Sequence, residues 1–522
     1  MDIEDDDKNK NTMDDDEYSE NEGEQIRVSL VLAPGIQDDT IRIPSEPIAV
    51  PADVRRKGLS AVVNHLLDRK VPKDKDDDDD EDDSSDEDED DEEKLPAIPF
   101  DFLVNDRLLR TGVEAAARRE GLSLENAVVV QYFPARKAPE GTDESETLPD
   151  WISAMSYEKN SESGVDGGML FTGVCDGSVS AYRCSKEGGL KSISTVSAHT
   201  GPIKCLSSMT IPSSVSASHL IATGSMDQTL VTHTLQSKSK SDDEMKKKLT
   251  LHAVYGGGHF NSIGSVALLR KSDGEAIMAS GDWDGGLCFW KIPSLSGGGD
   301  GGMNVDNVDA GKKKQKSKKK RRTVEEPVEE SDDEAAISVV EVQPFSTIRA
   351  HNSNLSGLSF GYNSSGNTLL TGSWDHSVKV WDIEKSDCIL TLNGARVVTS
   401  LGRCHNSDVV ATGHPDCTVR LWDMRTGMNA SNSKQSSTQV SDSILKPSHK
   451  SWVSAVEWSP TDPYVLASTS HDGTVKMWDI RSSLPLHTIR AQPKGQKGLC
   501  LAYGDGAIYS GGSDCIVRKF AC

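Results

Sequence analysis

Apolar and polar positions alternate along most of this chain, and helical spacing is confined to two short stretches near its start. Gln25–Leu32 (QIRVSLVL) has the two-residue period of a half-buried strand, and residues 39–50 (DTIRIPSEPIAV) offer a second with prolines near its end. Residues 58–67 bring Leu59, Val62, Val63, Leu66 and Leu67 to helical spacing. Phe100–Val104 (FDFLV), a segment of helical composition at Val113–Arg119 and residues 127–132 (AVVVQY) complete the region.

The order strand, strand, helix, strand, short helix, strand over residues 25–135 is that of a ubiquitin-like β-grasp. A run at 76–93, acidic at every position except Ser84 and Ser85, interrupts it before the third strand. Such a run is too charged to pack, which predicts a surface loop inserted at 73–94. Residues 1–24 hold twelve acids against two lysines and predict a disordered tail. These two segments more than account for the net charge of −25, so the folded remainder is close to neutral. The absence of an 18-residue apolar run and the acidic N-terminus predict neither a membrane span nor a secretory signal. Ten cysteines stand without a C-x-x-C pair, which predicts buried free thiols in a reducing compartment rather than a zinc ribbon or redox motif.

Beyond a linker at 136–149 the alternation becomes a repeat. Asp176, Asp227, Asp284, Asp375, Asp416, Asp472 and Asp514 share a context: Ser or Thr four residues before, Val or Leu three after. Six after stands Tyr182, His233, Trp290, Trp381, Trp422, Trp478 or Phe520. Each Asp would sit in a tight turn between strands, accepting backbone and side-chain hydrogen bonds. His199, His259, His351 and His449, upstream in four units, could donate to it. The small residue after the Ser or Thr anchor, Gly in six units, permits close backbone approach. The pattern, with its Trp381-Asp382, Trp422-Asp423 and Trp478-Asp479 pairs, resembles the WD repeat. Seven units imply a mainly β fold, a seven-bladed propeller over 150–522, with structural roles for these Asp, His and Trp side chains. The anchors are 51, 57, 91, 41, 56 and 42 residues apart. The excess over a period of about 40–45 marks inserted loops, the largest at about 293–345.

That insertion carries Lys312, Lys313, Lys314, Lys316, Lys318, Lys319, Lys320, Arg321 and Arg322, followed by an acidic stretch. The basic run reads as a nuclear import signal, with incidental RNA contact second; no aromatic residue interleaves to stack bases. Ser84, Ser85 and Ser331 precede dense acids and resemble acidophilic kinase sites, where each phosphate would add about −1.5 to −2. The chain has no G-x-x-x-x-G-K-[ST], H-E-x-x-H or G-x-S-x-G motif, so no enzyme is expected.

Residues 58–67 (GLSAVVNHLL), 99–104 (PFDFLV) and 108–111 (LLRT) resemble the NLE domain shared by Notchless and its relatives. The segments 150–153 (DWIS) and 373–382 (SWDHSVKVWD), with the lysine-rich insertion, resemble the WD-repeat ribosome-biogenesis proteins of the PeBoW complex. The resemblance implies a nucleolar and nucleoplasmic assembly factor for the large-subunit pre-ribosome, with no cofactor of its own. Its propeller would bind the block-of-proliferation WD-repeat partner, which holds pescadillo. Its first domain would be gripped by the AAA ATPase midasin. In that family an acidic residue before the last β-grasp strand completes the Mg²⁺ shell of the midasin MIDAS domain, and here Glu125 occupies the place. A Notchless-type protein, expected to have an extra blade, is the nearest alternative. A WD-repeat histone chaperone or ubiquitin-ligase receptor is the alternative of another class.

Overall fold

The strand periods at the start of the chain assemble into one mixed sheet. The computed structural model describes residues 24–34, 36, 38–69, 95–159, 167–185, 189–211, 218–237, 247–271, 274–293, 340–361, 367–424, 443–445, 449–504 and 506–522. The acidic tail, the acidic run with Ser84 and Ser85, the basic run 312–322 and Ser331 lie outside them. The chain divides into two units, Met1–Lys137 and Ala138–Cys522.

In the first unit, β1 (Gln25–Leu32) pairs antiparallel with β2 (Ile48–Pro51) and parallel with β5 (Val128–Pro134). On the other side of β5 lie β3 (Phe100–Val104) and the two-residue β4 (Arg107–Leu108), giving the order β2-β1-β5-β3-β4. Leu59 and Val63 of α1 (Arg56–Leu66) and Val113, Ala116 and Ala117 of α2 (Val113–Arg119) bury against Val28, Leu30, Phe102 and Val130. This is the β-grasp arrangement.

The expected strand at 39–50 is only half formed. Asp38 accepts from the Thr40 N–H at 3.0 Å and starts a 3-10 turn at Asp39–Ile41, so extended pairing begins only at Ile48. Pro44 and Pro47, which lack N–H groups, fall in the gap. The Tyr132 hydroxyl pins this stretch by donating to Ile41 O at 2.9 Å and accepting from Ile43 N at 3.0 Å.

Buried Asn64 closes the other irregularity. Its amide donates to Ser60 O and Ile98 O, and its Oδ1 accepts from Ile98 N, all within 2.9 Å. Arg69 bridges Leu95, so the chain leaves toward the acidic insertion and returns at one point.

Among the described residues the second unit holds seven sheets. Their innermost strands form a closed ring of neighbours, from Ile152–Lys159 through Ile203–Ile211, Ile263–Arg270, Leu355–Phe360, Ser400–Arg403 and Val453–Trp458 to Gly498–Gly504 and back. Numbering blades 1 to 7 in that order, the buried core divides into seven wedges, one per seam. Phe171 and Ala181 of blade 1, for example, meet Ile221 and Leu235 of blade 2. The repeated glycines serve these seams. A Cβ on Gly173 would come within 2.6 Å of Ile203, the first inner-strand residue of the next blade. Blade 6 carries Thr469 instead, and the next blade supplies Gly498, whose Cβ would meet Thr469 Oγ1 at 2.3 Å.

Two boundaries differ from the sequence expectation. Residues 140–144, expected within a linker, form β6 (Glu140–Glu144), the outer strand of blade 7 against Arg518–Ala521. The sequence repeat begins one strand before the blade does, so the first repeat donates its leading strand to the last blade and closes the ring. Residues 340–342, expected within the large insertion, add a fifth strand to blade 2 by pairing parallel with Ala253–Tyr255.

Candidate functional site

Helix α2 ends on Gly121, whose φ of +69° lies in the left-handed region. Gly121 N–H donates to Arg118 O at 3.1 Å and Leu122 N–H to Ala117 O at 2.9 Å, the paired bonds of a Schellman cap. Half-buried Leu124 packs against the domain core, and the Ser123 hydroxyl accepts from Glu125 N. The cap and the Leu124 anchor leave Glu125 and Asn126 projecting as exposed residues before β5. Among the described residues the Glu125 carboxylate has no ion-pair partner. The neighbouring acids Glu114 and Glu120 are engaged: Glu114 with Arg118 at 2.5 Å, and Glu120 with Arg119 at 3.2 Å and Arg107 at 3.6 Å.

The propeller network is complete in three blades. In blade 4, His351 Nδ1 lies 2.9 Å from Asp375 Oδ2, its Nε2 2.7 Å from Thr371 Oγ1, and Trp381 Nε1 donates to the same hydroxyl at 3.0 Å. Blade 6 repeats this with His449, Asp472, Ser468 and Trp478. Blade 3 repeats it with His259, Ser280 and Trp290, but its acid is Asp282 at 2.8 Å and not Asp284. Asp282 also accepts from the N–H groups of Asp284 and Gly286, so Asp284 is displaced to the exposed turn. The sequence SGDWDGG offers two acids to one spacing rule, and the rule chose the wrong one.

The other anchors depart further. In blade 2, His199 bonds Thr229 and Thr223 at 2.7 and 2.9 Å, with Asp227 at 3.5 Å; buried His233 replaces the indole. In blade 5, Asp416 pairs with Arg420, and His414 takes the upstream histidine's place on Thr412, which also receives Trp422 Nε1. In blade 7, Gln492 bonds Ser510 at 2.8 Å, and Asp514 pairs with Arg518. Asp176 of blade 1 only caps its own turn through Ser178. His414 and Gln492 escaped the repeat search because each takes the place of the upstream histidine that the pattern used.

These environments set protonation. Burial alone would raise the carboxyls of Asp227, Asp375 and Asp472, but hydroxyl and histidine donors outweigh it and hold all three low, Asp227 at about 2. Burial pulls His199 and His449 down. It also opposes protonation of His259, yet Asp282 and Cys288 outweigh it and carry that imidazole to about 9. A histidine raised above its unfolded value of about 6.5 adds stability that is complete below that pH. The His259 contribution should therefore fade between about 6.5 and 9. Urea unfolding of the full chain across that range should show the decline, and His259→Gln should flatten it. The depressed carboxylates add stability above about pH 4 that is lost as acid protonates them.

Burial lifts the thiols of Cys184 to about 11 and Cys205 to about 12, in line with inert core cysteines, whereas Cys388 and Cys522 are exposed. Among the described residues no group of three or more His, Cys, Asp or Glu could hold a metal ion, and no helix is long and apolar enough to cross a membrane.

The sequence reading missed one surface. The N–H groups of Cys175, Met226, Trp283, Trp374, His471 and Ser513, each just before its turn, donate to the carbonyls of Trp151, Pro202, Ser262, Asn354, Trp452 and Lys497. These bonds tie every such turn to the start of an innermost strand. They place Trp151 (47% exposed), Trp283 (40%), Trp374 (41%) and Trp452 (47%) together at one end of the ring, the top. Four exposed indoles on one face are characteristic of an interaction surface.

Comparison with known proteins agrees with both units. The NLE (NUC135) domain matches residues 36–116, and the WD domain, G-beta repeat, matches 190–231, 342–382, 386–423 and 442–479. The WD matches begin on or just before an outer strand and reach the third strand of the following blade, the same one-strand offset that sends β6 to blade 7. The chain is a WD-repeat protein with an N-terminal NLE domain.

Similar proteins cover nearly all of it. A ribosome biogenesis protein WDR12 homolog of Chlamydomonas reinhardtii is 29% identical over 92% of this chain and 94% of its own length. The homolog of Dictyostelium discoideum is 28% identical over 95% of each. The ribosome biogenesis protein YTM1 of Kluyveromyces lactis is 26% identical over 94% and 96%. The chain is thus similar over nearly its whole length to proteins of the WDR12 and YTM1 type, a likeness that supports a role in ribosome biogenesis.

Proposed function

We propose that this protein is a non-enzymatic assembly factor of the large ribosomal subunit that acts as a handle and a platform. The propeller is the platform, holding the block-of-proliferation WD-repeat partner and through it pescadillo. The NLE domain is the handle, presented to the MIDAS domain of midasin for ATPase-driven release from the pre-ribosome. Seven sheets among the described residues favour this reading over a Notchless-type protein with an extra blade.

The observation that carries the handle is the Glu125 carboxylate, exposed on its capped loop and without an ion-pair partner among the described residues. A Mg²⁺ ion takes near-octahedral oxygen ligands and keeps several waters, so a carboxylate from outside can displace one. One carboxylate cannot build a metal site, but it can complete a shell the partner provides. Protein affinity then depends on the partner's Mg²⁺.

Glu125→Asp keeps the charge and shortens the reach by one methylene. It should weaken binding of the full chain to the MIDAS domain strongly, with an unchanged melting curve. Chelating Mg²⁺ should abolish wild-type binding. Chelator-insensitive binding, or full affinity in Glu125→Ala, would reduce Glu125 to an ordinary surface residue. In cells the variant should enter pre-ribosomes and fail to leave.

The basic run 312–322 serves nuclear entry, with the protein working in nucleolus and nucleoplasm. Deleting it should slow import of a tagged chain in partner-depleted cells while leaving the melting curve unchanged. Normal nucleolar accumulation would assign import to another segment.

A further inference from the structure

At the top of the propeller the channel between the innermost strands opens as a cavity of about 430 Å³. Trp283, Trp374 and Trp452 line it, with the His471 ring stacked on Trp452 at 6.2 Å between centroids and 12° between planes. Six innermost strands bulge at their upper end, at Ser153, Lys204, Gly264, Ser356, Ser454 and Leu499. In blade 3 that residue is a glycine. A Cβ there would stand 2.7 Å from Asn354 Oδ1 and 3.3 Å from Trp283 Cδ1, so Gly264 lets the indole and the Asn354 amide pack directly against the strand at the channel lip. Asn354 Oδ1 is shielded from water and has no hydrogen-bond partner among the described residues.

Glu457 lies deeper on the same wall and also lines the lower part of the channel. Its side chain is exposed and lines the channel, and among the described residues it has no hydrogen-bonding or charged partner. The cavity thus offers aromatic faces at its lip and an acid below that has no partner among the described residues. Lys204, on the blade 2 side, is the opposing charge.

We propose that this channel mouth binds a long cationic side chain, arginine or lysine, presented by a partner protein. The side chain passes the indoles, which stack on it, and Glu457 below supplies the opposite charge. A planar, weakly hydrated guanidinium stacks on indoles better than an ammonium does. Lys204 disfavours approach from blade 2 and directs the cation toward blades 3, 4 and 6.

The inference does not depend on which assembly the protein serves, and its test uses small molecules, so failure would leave the Glu125 reading intact. The full chain, labelled with ¹⁵N-tryptophan, is titrated with N-acetyl-arginine amide, and the Trp283, Trp374 and Trp452 indole signals are assigned by Trp→Phe variants. Saturable shifts confined to these three are expected at millimolar ligand, weaker with N-acetyl-lysine amide and absent with N-acetyl-glutamate amide. Glu457→Gln should weaken binding about tenfold, and Lys204→Ala should tighten it several-fold. An anion site would reverse both signs. Reversed signs, or no saturable shift with either cation, would overturn the proposal.

Discussion

Asp282→Ala should destabilise the propeller by about 3 kcal/mol, whereas Asp284→Ala should change stability by no more than about 0.5 kcal/mol. The two acids are separated only by Trp283 and share a turn, yet Asp282 alone joins the buried network. Its side chain is 9% exposed and faces the buried His259 ring, which is 2% exposed. Removing it strips a charged imidazole of its counter-charge and leaves the N–H groups of Asp284 and Gly286 without an acceptor. Breaking a buried pair from one side costs more than the pair contributes, because the surviving charge stays desolvated. Asp375→Ala in blade 4 should lie nearby, at about 1–3 kcal/mol, since it too orphans a histidine. Urea unfolding of the three variants decides the matter. Equal losses for Asp282→Ala and Asp284→Ala would mean that the turn, not the network, holds blade 3.

Deleting residues 138–148 should abolish cooperative unfolding of the propeller. The deletion removes β6 and with it four paired positions against Arg518–Ala521, together with the Ser145 N–H bond to Val517 O and the Leu148 N–H bond to Cys515 O. Arg518 loses Glu144, its partner at 2.7 Å. Blade 7 would be left with three strands and a free edge, a template for pairing with other chains. The ring also loses the covalent tie that locks its last sheet to its first. Calorimetry should show a broad, low-enthalpy transition, and size exclusion should show association. Refusing the same segment after Cys522 through a two-residue hairpin should restore closure, because the native pairing is antiparallel. A deletion that melts like the full chain would mean that the wedge cores alone hold the ring shut.

Much of this was legible beforehand, for identifiable reasons. Period-two alternation and a fixed Asp-to-aromatic spacing encode blades redundantly, so Trp290, Trp381, Trp422 and Trp478 could be placed on their Ser or Thr partners without coordinates. What escaped was information carried between repeats. The strand at 140–144 (EGTDE) is polar, and its pairing partner is nearly four hundred residues away, so local pattern is silent about it. Asp282 and Asp284 both satisfy composition, and only the reach of His259 separates them. The four-indole face was hidden because its indoles come from two separate repeat positions, Trp151 and Trp452 just before an innermost strand and Trp283 and Trp374 just before the repeat Asp, which meet only when the blades fold. Glu125 is the reverse case: its place was readable from the family resemblance, but its isolation became visible only once Glu114 and Glu120 were seen to be paired.

The pinch at Arg69 and Leu95 has an evolutionary consequence. Because Asn64 and the Arg69–Leu95 bridge fix both ends of the excursion, the domain registers only that the chain leaves and returns. Doubling the length of such an excursion costs only about 0.6 kcal/mol of closure entropy. Descendants of this sequence can therefore lengthen, shorten or recompose the acidic stretch almost neutrally, while Asn64 and Ile98 stay under selection. Among relatives, the insertion should drift in length and composition while its two hinges stay fixed.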